Sequence, residues 1–315
     1  MKPQIVVIGS ANTDLVIRVA RLPRPGETIS GGRFAVVAGG KGANQAVAAA
    51  RAGARVTFIA NIGRDDFGDA SLEGLCREGI DTRYVVRSPG TPSGVALILV
   101  DDQGENLIAV ARGSNDELLP RHIDASVSAL RAARCLVVQL EIPSATVRRA
   151  VRLATRHGVP VLINPAPAQH PAGRWHREAT FLTPNESELA ALTGLPTLGK
   201  PAVEAAARRL HSFGIQHVLA TCGARGVCWC SATGTLWFAA PRVKAVDTVG
   251  AGDCFSGTFA AAIAEGKTVK EAVPFAVAAA AIAVTRPGAQ PSLPTRKEIV
   301  RFSRLVLPRG TGAQR

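Results

Sequence analysis

Short runs of almost wholly apolar residues recur along this chain, and most are followed by a segment with helical periodicity. Ile5–Gly9, Val56–Ala60, Cys135–Leu140, Val161–Asn164 and His217–Cys222 read as strands buried on both faces. Lys41–Ala52, Asp65–Glu78, Ser144–His157 and Val203–Phe213 read as amphipathic helices between them, and Asp253–Glu265 and Val269–Val284 as two more at the end. Gly53, Gly79 and Gly158 stand where helices stop, and Ser144 stands where one is capped. A strand with no polar face needs cover on both sides, and helices crossing over a parallel sheet supply it. The expected class is α/β, and 315 residues suit one large domain or a core with an appendage.

Two stretches break the alternation. Leu15–Val19 and Arg33–Val37 are β-like pieces joined through Pro23, Pro25, Gly26 and Gly31-Gly32, while Val95–Val100 and Asn106–Ala111 face each other across a five-residue loop. These pieces predict a small sheet outside the core, used as a lid or an oligomer contact, because an apolar sheet face needs cover. The apolar run Phe275–Val284 is ten residues long. A membrane span takes about 20, so this is a buried helix. The N-terminus reaches Asp14 before any long apolar region, so no signal peptide is expected. A soluble, cytoplasmic protein with no membrane partner is expected.

The net charge of +13 raises nucleic acid as a partner. Seven lysines and thirty arginines carry that charge, but they scatter over helix faces, and aromatics are only 4%. No basic tail or aromatic-interleaved basic strand is present, so nucleic acid is disfavoured and anionic small molecules are favoured. The six cysteines form no CxxC pair. Cys228-Trp229-Cys230 alternates as a strand would, placing both thiols on one face. Free thiols in a reducing cytoplasm are expected.

Asp247-Thr-Val-Gly-Ala-Gly-Asp253 precedes an apolar helix, whose free N–H groups would bind an anion. On this segment alone, a glycine-rich turn with Asp253 as helix cap serves as well. Gly39-Gly-Lys-Gly-Ala-Asn-Gln45 opens another helix but is not a Walker A loop, because Gly42 follows Lys41. Nor does Gly9-Ser-Ala-Asn-Thr-Asp14 match G-x-G-x-x-G. It offers Asn12 and Asp14 at the carboxyl end of a strand, where open α/β sheets bind ligands. With Lys41 and Asn44 they suit a polyhydroxylated molecule, although either alone reads as a turn residue.

Together the segments resemble the ribokinase branch of the PfkB-type carbohydrate kinases. The match runs from Ile5 to Pro294 and is carried, in order, by Gly9–Asp14, Pro25-Gly-Glu-Thr28, Gly39–Ala46, and Gly94-Val-Ala-Leu97 with Gly104-Glu-Asn106. Asn164-Pro-Ala-Pro167, Thr183-Pro-Asn-Glu186, Asp247–Asp253 and Thr285–Ser292 continue it. The resemblance implies a single domain over 1–315, with a Rossmann-like three-layer core, a parallel central sheet and a small β-sheet lid. The lid would be drawn from about 14–38 and 94–112 and would often form a homodimer contact.

The implied activity is ATP-dependent phosphorylation of D-ribose at O5, with 2-deoxyribose, fructose or a nucleoside as other acceptors. A non-catalytic sugar-binding regulator is the rival class. Asp253 would be the general base, and Gly250, Ala251 and Gly252 the anion hole. Asn12, Asp14, Gly40, Lys41, Asn44 and Glu141 would hold the sugar. Asn185 and Glu188 would organise Mg²⁺ and phosphates, and Thr221, Cys222, Gly223, Ala224, Arg225, Gly226, Gly252 and Val277 the nucleotide. A K⁺ ion would take the side chains of Asp247 and Ser292 and the carbonyls of Val249, Ala283, Arg286 and Gly288. The chain departs from the pattern at Val277, where ribokinases can carry histidine, and at Cys254, where threonine is common. A thiol beside Asp253 either packs or makes the protein sensitive to thiol reagents.

Overall fold

In the computed structural model, which describes residues 2–168 and 177–306, strand β1 (Gln4–Ile8) is fully buried from Ile5 to Ile8. Its neighbours are what the apolar runs require. Two further strands open a separate sheet, β2 (Asn12–Arg18) and β3 (Arg33–Gly39), before β4 (Arg55–Gly63) returns to pair with β1 in parallel. Then come β5 (Asp81–Ser88), the pair β6 (Gly94–Val100) and β7 (Asn106–Ala111), β8 (Cys135–Val138), β9 (Val161–Ile163) and β10 (Phe181–Leu182). Finally β11 (His217–Thr221), β12 (Val227–Ser231) and β13 (Gly234–Phe238) complete a nine-stranded sheet of order β13-β12-β11-β10-β9-β8-β1-β4-β5.

The sheet is parallel except at one edge, where β12 and β13 run antiparallel. The chain has only the residues between Thr221 and Val227 to turn in. A parallel crossover needs a dozen or more, so a hairpin is forced. Cys228 and Cys230 point to one face of β12 and Trp229 to the other, as the alternation predicts, and all six cysteines are free.

Helices cover both faces. On one side lie α1 (Lys41–Arg51), α2 (Asp66–Arg77), α8 (Ala251–Ala264), α9 (Val269–Ala283) and α10 (Arg296–Val306); on the other lie α3 (Pro120–Ala125), α4 (Val127–Ala132), α5 (Ser144–Arg156), α6 (Glu186–Thr193) and α7 (Lys200–Ser212). Ser144 is the first residue of α5 and makes no cap bond, correcting the capping expectation. Helix α7 starts three residues before Val203, with Pro201 in its first turn. Helix α1 is buried on every side from Gly42 to Ala49 because α8 crosses it closely. A Cβ on Gly257 of α8 would lie 2.4 Å from the Gln45 carbonyl oxygen, so only glycine allows that approach. No helix among the described residues is long and apolar enough to cross a membrane.

The second sheet has the order β3-β2-β6-β7. Strand β2 pairs antiparallel with β3 and parallel with β6, and β6–β7 is the expected hairpin. The register aligns Leu15 with Val36 and Leu97, and Ile17 with Phe34 and Leu99. These side chains share one face, opposite to the face that carries Asp14. Phe34, Val36, Leu97 and Leu107 on that face are all at least half exposed.

Candidate active site

The chain leaves β1 toward β4 on one side, while β8 lies on the other. Between them is the switch point where open α/β sheets hold ligands. Four segments converge there: the start of β2 with Asn12 and Asp14, the residues after β8 through Glu141, and the N-termini of α1 and α8. Gly40, at φ +86°, lets the chain turn from β3 into α1, and a Cβ on it would meet the Asn12 nitrogen at 2.6 Å. Asn12 is buried and its Oδ1 accepts from Asn115 Nδ2 at 2.8 Å. Glu141 Oε2 accepts from Ser10 Oγ at 2.5 Å and from the Lys41 backbone N–H at 3.1 Å, placing a carboxylate at the positive end of α1.

Asp253 is the third residue of α8, and Gly250 in the left-handed conformation is the N-cap. The reading of Asp253 as a helix cap is therefore wrong. Its buried carboxylate faces α1 instead, where Asn44 Nδ2 donates to Oδ2 at 3.0 Å and Gln45 Nε2 donates to Oδ1 at 2.8 Å. Asn44 Oδ1 is buried with no hydrogen-bond partner among the described residues. The Asp253 carboxylate raises the Lys41 ammonium above its ordinary pKa, against the opposing cost of burial; Glu141, Glu188 and Asp14 add to the rise. Burial pushes Asp14 up to about 6, helped by Glu141 and Asp253 and opposed by Lys41.

Behind the N-terminus of α8 lies a largely apolar cavity of about 460 Å³, within the size range of ligand pockets. Thr221, Gly223, Ala224, Gly226, Gly252 and Val277 line it, as do Ala251, Phe255 and the segment from Ala240 to Ala245. The last set was not anticipated, because an irregular segment carries no periodicity. Cys222 turns its thiol into the core, and Arg225 pairs with Glu186, so neither lines the cavity. Asn185 and Glu188 form a reciprocal capping box on α6: Asn185 Oδ1 accepts from the Glu188 N–H at 2.8 Å, and Glu188 Oε2 accepts from the Asn185 N–H at 2.9 Å. Asn185 also bridges to Thr221. Burial raises the Glu188 carboxyl, with Asp253 adding to the rise and Lys41 opposing it, so the group feels the same charges as the cleft. At α8 itself the Ala251 N–H reaches the Thr248 carbonyl at 3.2 Å, while those of Gly250 and Gly252 take no acceptor from a described residue.

The proposed cation ligands gather at the turn after α9. Asp247 Oδ2 accepts from the Gly288 N–H at 2.9 Å and Oδ1 from the Val249 N–H at 3.0 Å. Ser292 is buried and donates to the Ala289 carbonyl at 2.7 Å, and the Ala283 carbonyl accepts from the Arg286 N–H at 3.0 Å. Arg51 of α1 holds this turn by donating to the Gln290 and Leu293 carbonyls at 2.9 and 2.7 Å. Cys254 is wholly buried and its thiol is pushed up to about 12, so of the two expectations packing holds and reactivity does not.

The reading of residues missed Gln45, Gln139, Asn164 and Asn115. A usable signal existed for Gln45: with Asn44 it is the only polar side chain in the run Gly42–Ala49.

Because Asp14 binds its proton more tightly in the fold than in the unfolded chain, the folded state holds more protons between about pH 4 and 6, and stability falls as pH rises through that window. Asp14→Asn is expected to raise the melting temperature at about pH 8, with the gain shrinking toward about pH 4.5. Thermal unfolding at both pH values checks this, and a gain equal at both would contradict it.

The profile of the pfkB family carbohydrate kinases matches residues 2–296. A ribokinase of Haemophilus influenzae is 40% identical over 302 residues, covering 96% of this chain and 99% of that protein. A deoxyribokinase of Salmonella typhi is 39% identical over 292 residues, 92% of this chain and 95% of its own. The structure of Arabidopsis thaliana ribokinase complexed with ribose and ATP superposes with a TM-score of 0.90 at 34% identity, over 96% of this chain and 99% of that one. Two glycine-opened helices meeting at one buried aspartate, under a separate small sheet, thus have a shared ancestry, and the chain belongs to the pfkB family of carbohydrate kinases.

Proposed function

We propose that this protein is a ribokinase, transferring the γ-phosphoryl of ATP to the 5-hydroxyl of D-ribose. One observation carries the reading: the first turn of α8 forms a partition. On one side Ala251 and Gly252 line the apolar cavity, and on the other Asp253 faces the polar cleft of Asp14, Lys41 and Asn44. A nucleotide on the first side and a sugar on the second would meet at the free N–H groups of the helix. The 5-oxygen forms its bond to the γ-phosphorus as the bridging bond to ADP breaks, and Asp253 takes the hydroxyl proton. Proton removal is late in a loose transition state, so positioning outweighs basicity. Anion-hole donors act on charge developing in that state, where losing one costs about 10²–10³ in rate.

Asn12, Asp14, Gly40, Lys41, Asn44 and Glu141 are assigned to the sugar. The adenine is assigned to the cavity beside Val277, with Thr221, Gly223, Ala224 and Gly226 along its rim. The backbone of Cys222 and the side chain of Arg225 belong to the same turn. Asn185 and Glu188 would hold Mg²⁺ through water, since their cap bonds already take one oxygen of each, and the ion would supply positive charge against the phosphates of ATP. Six unpaired cysteines support a reducing cytoplasm as the place of action.

The deoxyribokinase relative keeps 2-deoxyribose as the second acceptor. A site that hydrogen-bonds a hydroxyl discriminates strongly against an analogue lacking it. Purified protein with MgATP should turn over D-ribose with a kcat/KM at least tenfold (about 1.4 kcal/mol) above 2-deoxyribose, fructose and adenosine. Preference for another acceptor would overturn the sugar assignment, and sugar binding without turnover would make the protein a regulator.

The carboxylate of Asp247, the lone pairs of Ser292 and the carbonyls of Val249, Ala283, Arg286 and Gly288 are an all-oxygen set that suits K⁺. A bound cation there would order the 247–253 loop. K⁺ is expected to raise both kcat and melting temperature relative to Na⁺, and Asp247→Ala to remove both effects. Indifference of the parent protein to the cation would exclude the site.

The apolar outer face of the second sheet supports a homodimer, because a second copy presents the same surface and covers it symmetrically. Sedimentation should give twice the 32.8 kDa chain mass, with Phe34→Asp shifting the protein to monomer. A monomeric parent protein would refute the dimer.

A further inference from the structure

Asp253 is held from two sides, and the two holders differ in what stands behind them. Asn44 has a buried oxygen with no partner among the described residues. Gln45, wholly buried, has every direction fixed. Its Nε2 donates to Asp253 Oδ1 at 2.8 Å and to Asn164 Oδ1 at 3.0 Å, while its Oε1 accepts from Gln139 Nε2 at 2.6 Å. Asn164 in turn donates through Nδ2 to the Thr183 carbonyl at 2.9 Å, which leaves its Oδ1 as the end facing Gln45. Backbone polarity after β10 therefore sets the orientation of Asn164, Asn164 sets that of Gln45, and Gln45 aims an N–H at the carboxylate. Turning the Gln45 amide over would oppose oxygen to oxygen at two contacts and nitrogen to nitrogen at the third. Gln139 Oε1 is buried without a partner among the described residues, so the orientation of Gln45 is fixed by its contacts with Asp253 and Asn164, which are satisfied.

An apolar side chain of the same size would suit the buried run Gly42–Ala49 without any such chain. We propose that Gln45 is a positioning residue for phosphoryl transfer: through the Thr183–Asn164–Gln45 relay it fixes Oδ1 of Asp253, so that Oδ2, beside Asn44, is the oxygen presented to the sugar hydroxyl. The inference rests on the reading of Asp253 as the base. Gln45 touches neither sugar nor nucleotide in this scheme, so its loss acts on rate rather than on affinity.

The test uses Gln45→Met, Gln45→Glu and Asp253→Asn, each with kcat from ATP consumption and sugar Kd from calorimetry. Gln45→Met is expected to lower kcat by about 10–100-fold, with Kd within about threefold of the parent. In Gln45→Glu the new carboxyl donates to Asp253 only when protonated, so its kcat relative to the parent should climb as pH falls from about 8 to about 6. The charged group in contact with that position is Asp253; Lys41, Asp14 and Glu141 lie along the same cleft and are shared with the parent. A kcat for Gln45→Met within about threefold of the parent, or a fall matched by equal loss of sugar affinity, overturns the proposal. If Gln45→Met does not fold, the pH response of Gln45→Glu decides, and a ratio flat with pH overturns it. Full turnover by Asp253→Asn would remove the base reading itself, whereas an inactive Asp253→Asn beside a fully active Gln45→Met would remove this inference alone.

Discussion

The crossing of α1 over α8 is the contact on which the site depends. At Gly257 the two backbones come so near that an added Cβ would stand 2.4 Å from the Gln45 carbonyl and 2.8 Å from Ala48 Cβ. That approach lets α8 carry Asp253 to within hydrogen-bond distance of two successive side chains of α1. It also buries α1 on every side between Gly42 and Ala49, which explains a sequence of alanines where a surface helix would alternate. Glycine costs helix stability of about 1 kcal/mol relative to alanine, and the close packing along α1 and α8 offsets it.

A cleft that collects Asp14, Glu141, Glu188 and Asp253 around one ammonium is electrostatically poor without ligand. Lys41 interacts favourably with all four carboxylates, yet Asp14 still rises to about 6 because burial and two neighbouring carboxylates outweigh the single cation. Hydroxyl groups can donate to carboxylates that have no other donor, so a polyhydroxylated ligand relieves what the fold leaves unpaired.

The core strands, the second sheet and the main helices were legible because burial on both faces, on one stripe or on alternate residues leaves a period in the sequence. Asn12, Asp14, Gly40, Lys41 and Asn44 stood out because they sit in or beside short glycine-rich turns, whereas Glu141 followed only from the resemblance. Three things were hidden. The antiparallel edge at β12 and β13 depends on a loop length, not on any residue pattern. The cavity wall from Ala240 to Ala245 is irregular chain whose position is set by distant helices. Gln139 and Asn164 stand in strand ends that read as apolar, and their polarity makes sense only once α1 brings Gln45 between them.

The turn after α9 shows how distant segments are made to move as one. Asp247 ties it to the start of α8 through the Gly288 N–H, and Arg51 ties it to the end of α1 through two carbonyls. Arg51 also pairs with Glu78 at 2.5 Å, so its guanidinium is fixed from both sides. An exposed ion pair alone would contribute little. Here the charge is half-buried and donates to two backbone oxygens, and hydrogen bonds to charged groups contribute about 1.5–3 kcal/mol. The two helices are thus joined directly, at Gly257 and at Asp253, and indirectly through this turn. A shift of the turn must act on both helices together, and so on Lys41 and Asn44 of α1 and the N–H groups of α8 at once.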